Sequence, residues 1–156
     1  LAFRSPTTTD LDKSTAKKLA QDLNIDIETL ASQLFKAKSD ISKYTDPELI
    51  LMDSKKYDLG GKKLRISVME TTLPEQILER KKSLLQAMKA IEENDGVAQI
   101  LFFVIDILNE EATLFVPNEL VKEIAEKSFG SSCIEDTVVL PGVLSRKKQI
   151  IPQLKL

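Results

Sequence analysis

The stretch from Val97 to Leu108 constrains this chain more than any other. It is nearly all apolar and rich in β-branched and aromatic side chains, with Ile100-Leu101-Phe102-Phe103-Val104-Ile105 uninterrupted. A strand wetted on one face alternates apolar with polar residues, so a continuous apolar run belongs to a strand covered on both faces. That requires layers on either side of a sheet. Asp106 stops the run, which is far shorter than the ~20 residues a membrane-spanning helix needs. A carboxylate in such a strand is costly to bury alone. Asp106 is therefore either a functional acid or, as is commoner, a strand-end residue bonded to backbone or paired with a cation.

The flanking sequence supplies the layers. Gly60-Gly61 divides Lys56-Tyr57-Asp58-Leu59 from a segment in which Leu64, Ile66 and Val68 alternate with polar residues, the pattern of a β-hairpin. Asn109-Glu110-Glu111 turns the apolar strand back into Ala112–Val116, and Thr137–Leu140 reads as a last strand. Helices are predicted from Thr9 to about Asn24, from after Asp26 to about Lys36–Asp40, and briefly after Thr45-Asp46-Pro47-Glu48. Two more follow: Pro74 to about Glu93, the longest, and Glu119 to Lys127, capped by Asn118 and stopped by Gly130. Helices alternating with hairpins around one buried strand predict an α/β fold, a single domain with a mixed sheet flanked by helices. A length of 156 residues with 42% hydrophobic and 29% charged residues suits one such core.

Charge narrows the functions available. A formal net charge of -2 gives no general attraction to nucleic acid or membrane, so any anion binding must be local. The lone Cys133 has no internal disulfide partner and no signal peptide is visible, which makes the cytoplasm the default expectation. The chain contains no histidine, a poor beginning for a site that holds manganese or zinc. Lys55, Lys56, Lys62 and Lys63 beside the hairpin, and Glu79, Arg80, Lys81 and Lys82, read as solvated surface.

One local cluster stands out. After the punctuation of Pro141 and Gly142, Ser145-Arg146-Lys147-Lys148-Gln149 places a hydroxyl, three cations and an amide between apolar flanks. A guanidinium offers phosphate a planar fork, an ammonium offers a movable charge, and Ser and Gln can fill remaining lone pairs. Taken alone, a short basic run is usually a solvated face. Followed by Ile150-Ile151-Pro152, however, the string resembles the C-terminal signature of the manganese-dependent, family II inorganic pyrophosphatases, whose core is a DHH-type phosphoesterase. Leu34-Phe35-Lys36-Ala37 is similar to a hydrophobic-Lys-Ala step of that family, although a lysine in the last turn of a helix also complements the macrodipole. Lys38 stands where a small residue is expected, so the step can be read at Lys36 or Lys38. Phe3-Arg4-Ser5-Pro6 resembles the connection between the family's two lobes, and Gln153 departs from it where many members carry a second proline.

The resemblance implies the following. Residues 1–9 would link to a missing N-terminal DHH lobe, and residues 10–156 would form the C-terminal substrate-binding domain. Lys36, Arg146 and Lys147 would bind pyrophosphate, with Ser145, Lys148 and Gln149 supporting. Manganese, or magnesium or cobalt in its place, would be held by histidines and aspartates of the missing lobe and by nothing in this chain, which alone would be inactive. The partners implied are pyrophosphate and the DHH lobe, with a homodimer left open for the intact enzyme and neither nucleic acid nor membrane. Alternative readings are a non-catalytic phosphate-binding or interaction module and the lobe of a related exopolyphosphatase.

Overall fold

The computed structural model describes residues 3, 8–38 and 41–156, with the side chains at 35, 36 and 38 excepted. The chain gathers into two compact units, Leu1–Asp40 and Ile41–Leu156. The first carries two helices, α1 (Asp10–Asp22) and α2 (Ile27–Lys38). Local chemistry starts α1: Thr9 Oγ1 accepts from the Asp12 N–H at 3.2 Å while Asp12 Oδ2 accepts from the Thr9 N–H at 2.8 Å. Each side chain satisfies a donor that helix geometry leaves open. No residue of α1 is buried, so capping and propensity hold it rather than a core.

The second unit is built on a five-stranded sheet in the order β1-β2-β3-β4-β5. After the short helix α3 (Asp46–Leu51), β1 (Ser54–Leu59) and β2 (Lys62–Thr71) form the expected hairpin. Gly60 and Gly61 both take positive φ, 57° and 75°, which a two-residue turn between twisted strands demands. The β2 strand pairs in parallel with β3 (Gln99–Asp106), while β3 pairs antiparallel with β4 (Glu111–Phe115) and β4 with β5 (Thr137–Pro141). The sheet is mixed, as the sequence predicts.

Seven of the eight residues of β3 are buried, and its alternation splits the core in two. Leu101, Phe103 and Ile105 pack with Val121 and Ile124 of α6 (Glu119–Phe129) on one face. Ile100, Phe102 and Val104 pack on the other with Ile77 of α4 (Pro74–Leu78) and with Leu84 and Met88 of α5 (Lys81–Asp95). The single helix expected from Pro74 is thus two. Arg80 leaves the helical path at φ -89°, ψ 7° and pairs with Asp46 at the start of α3, its Nε donating to Oδ1 at 2.8 Å. No glycine or proline marks that break. It accompanies an ion pair between residues far apart in sequence, which also takes Arg80 out of the solvated surface expected for it.

Asp106 closes β3. Its Oδ1 accepts from the N–H groups of Leu108 (2.9 Å) and Asn109 (3.1 Å), and its Oδ2 from the Asn109 side-chain amide at 2.7 Å. Of the two readings open in the sequence, the strand-end role is the one the structure displays.

Candidate functional site

The basic cluster lies where β5 gives out. Gly142 adopts φ 74°, a conformation that a side chain would strain, and donates its N–H to Glu110 O at 2.8 Å. Gln149 then ties the loop to itself. Its Oε1 accepts from the Leu144 and Ser145 N–H groups at 2.9 and 3.0 Å, and its Nε2 donates to Gly142 O at 2.6 Å. Ser145 Oγ accepts from the Lys148 N–H at 3.3 Å. Both polar members of the cluster therefore satisfy loop backbone.

Residues Arg146–Ile150 form one turn of π-helix, in which the Ile150 N–H reaches Ser145 O at 3.0 Å. Such turns are rare and recur at functional sites. Ile150 is fully buried with Val143 against the α6 face of the sheet, which anchors the turn from beneath. Ile151-Pro152-Gln153 continues as a short helical turn, α7.

This frame stands without help from the lysines. The side chains of Lys147 and Lys148 are exposed and make no hydrogen bond or ion pair among the described residues. Arg146 differs: its side chain is only 13% exposed. Its Nη1 donates to Asp53 O at 2.9 Å and, at a longer 3.4 Å, to Ile66 O, and its Nη2 donates to Asp53 Oδ1 at 2.8 Å. The sequence gives no warning of Asp53, which sits 93 residues from its partner in the turn between α3 and β1. Only the packing of the loop across the sheet brings them together.

Lys36 falls near the end of α2, in the first unit, but its side chain and that of Lys38 lie outside the described residues, as does most of the connection at 1–9. Lys56, assigned to the solvated hairpin edge, is exposed there and also meets Asp95 at 3.2 Å, where Arg65 binds too. Among the described residues, no group of three or more His, Cys, Asp or Glu side chains gathers as metal ligands would.

The mixed sheet layered by helices agrees with what known proteins show. Residues 32–156 match the DHHA2 domain model, and the chain belongs to the DHHA2 domain family. It is 38% identical over 154 residues to the manganese-dependent inorganic pyrophosphatase of Methanocaldococcus jannaschii, covering 98% of this chain and 50% of that protein. It is 37% identical over 155 residues to the Bacillus subtilis protein of the same name, covering 99% and 50%. The fold matches a crystal structure of a Methanococcus jannaschii protein assigned to the family II inorganic pyrophosphatases, with a TM-score of 0.73 and 38% identity, over 97% of this chain and 49% of that one. The chain thus spans about half the length of the relatives it matches. The resemblance read from Ser145–Gln149 is borne out at the level of the family.

Proposed function

We propose that this chain is the C-terminal, substrate-clamping part of a manganese-dependent inorganic pyrophosphatase that splits pyrophosphate into two phosphates. In this reading residues 10–156 are the substrate-binding part and residues 1–9 lead from an N-terminal DHH lobe outside the chain. The observation that carries it is the loop at 142–150. Gln149 and Ser145 hold its backbone, so the ammonium groups of Lys147 and Lys148 are left to solvent on a fixed frame. A scaffold that satisfies itself and leaves its two lysine ammonium groups unpaired suits an anion.

Arg146 and Lys147 are assigned to the phosphates, joined by Lys36. Ser145 and Gln149 shape the loop, and Lys148 sits at its solvated side. Hydrolysis moves negative charge onto the departing phosphate, and a cation fixed beside it in a water-poor site stabilises that change without reorganising. Manganese, named in the relatives, finds no fit in this chain, which has no histidine and no ligand cluster among the described residues. The role assigned to the chain is binding and orientation.

Magnitudes argue that the clamp works only when enclosed. A cation about 4 Å from a phosphate charge gains roughly 1 kcal/mol in water and about 4 kcal/mol at an effective dielectric near 20. Two or three such contacts in water total about 2–3 kcal/mol, short of the roughly 4 kcal/mol that millimolar affinity requires. The purified chain should therefore bind pyrophosphate more weakly than about 1 mM by calorimetry at physiological salt, and should not hydrolyse it with manganese. Joined to a DHH lobe, it should turn pyrophosphate over. Micromolar binding by the chain alone, or turnover rising with its concentration, would sink this assignment.

A further inference from the structure

We propose that Asp53 is a positioning residue for Arg146, holding one edge of the guanidinium so that the other is kept for a phosphoryl group. The inference rests on the pyrophosphatase reading above and adds to it a residue outside the basic cluster.

A guanidinium carries five N–H donors in a rigid plane, and they form two usable forks. One is end-on, made by Nη1 and Nη2. The other is side-on, made by Nε and Nη2. All the side-chain hydrogen bonds of Arg146 lie on Nη1 and Nη2, two to oxygens of Asp53 and one to Ile66 O. Its Nε–H has no partner among the described residues. One hydrogen of Nη2 is also unused, which together with Nε completes the side-on fork. Two oxygens of one phosphoryl group match that fork.

Asp53 is suited to the task because its own backbone is fixed. Its carbonyl oxygen accepts from the Val68 N–H at 2.9 Å as well as from Arg146 Nη1 at 2.9 Å, so the acceptor is locked to β2. The Arg146 side chain is largely enclosed at 13% exposure, while that of Asp53 is 60% exposed. An arginine already confined to one rotamer loses less freedom when a ligand arrives. A carboxylate beside an anion site also weakens the pull of the cation. Charge and geometry therefore oppose each other at Asp53, and that opposition makes the proposal testable.

The test uses the two-lobed enzyme and measures kcat and KM for pyrophosphate in Asp53→Ala, Asp53→Asn, Arg146→Lys and the Asp53→Ala/Arg146→Lys double variant, each with a thermal melt. Positioning predicts that Asp53→Ala lowers kcat about tenfold, since a misplacement near 1 Å can cost up to 10²-fold. Asp53→Asn keeps an oxygen acceptor without the charge and should hold kcat within about threefold, with KM unchanged or lower. The double variant should be no worse than Arg146→Lys alone, because the two changes remove one device. Should Asp53→Ala not fold, Asp53→Glu takes its place, keeping the charge but overreaching the contact, with the same loss expected. If Arg146→Lys cripples the enzyme while Asp53→Ala does not, or if Ala and Asn fall equally, the positioning role is overturned and the pyrophosphatase reading survives. If Arg146→Lys leaves kcat and KM intact, the reading itself falls.

Discussion

Arg65, on β2, and Arg146, beyond β5, both meet an aspartate, and both are enclosed to the same degree, with side chains 12% and 13% exposed. They use their donors oppositely. Arg65 commits Nε and Nη2 to Asp95 Oδ2 and Nη1 to Ser54 Oγ, closing the side-on fork on a protein carboxylate. Arg146 closes its end-on fork on Asp53 and leaves Nε–H without a partner among the described residues. Burial does not separate the two sites. The unused donors do: one arginine spends its side-on fork on the fold, and the other keeps that fork for the ligand proposed above.

The sharpest way to break this comparison is to change each fork in the two-lobed enzyme. Arg146→Lys keeps the charge and loses the fork, so kcat should fall about 10²-fold with KM little altered, as when one donor to a developing charge is removed. Steady-state kinetics at saturating manganese, with folding checked by circular dichroism, would show this, and near-wild-type kcat would erase the distinction. Arg65→Ala should do the reverse. It leaves Asp95 without its main partner and should cost about 2 kcal/mol in urea unfolding, while kcat of the folded fraction stays unchanged.

A smaller effect sharpens the Arg65 side. The hydrogen bond from Arg65 holds the Asp95 carboxyl below its ordinary value of 3.8, helped by Lys56 and against the cost of burial. A carboxyl lowered by folding contributes stability that is complete above its unfolded pKa and fades as pH falls through the folded one. The gap in urea midpoint between wild type and Asp95→Asn should therefore be constant near neutrality and shrink below about pH 4. A gap independent of pH would show that the contact does not depend on the carboxylate charge. Smallest of all, Lys148→Ala should shift stability by less than about 0.5 kcal/mol and leave kcat within about twofold. Collapse in that variant, with Arg146→Lys near normal, would mean that the signature is read one or two residues out of register.

What the sequence made legible follows from range. The hairpin at Gly60-Gly61, the caps at Thr9, Thr45 and Asn118 and the stop at Gly130 are decided by residues a few positions apart, and each appears where its local chemistry puts it. The apolar run over β3 also declared itself, since burial on both faces leaves no room for polar residues. The break at Arg80 did not, because Asp46 lies 34 residues away. The same limit hid Asp53. The basic cluster could be singled out from its own residues and matched to a family signature, but which arginine edge remains open depends on an acceptor brought from the far side of the sheet. Helical spacing in α1 likewise predicted a helix correctly without revealing that Leu11, Leu19 and Leu23 stay exposed.

The π-turn at Arg146–Ile150 has a consequence for how far this loop can be edited. It spans five residues and must do two things at once, with Ile150 seated in the core and Arg146 lying along Asp53. An ordinary helical turn advances about 100° per residue. Deleting one residue would swing everything beyond it by about that angle, so a shorter loop could satisfy the core or the arginine but not both. The extra residue acts as an angular offset between two fixed points, and length here is as exacting a requirement as the identity of any side chain.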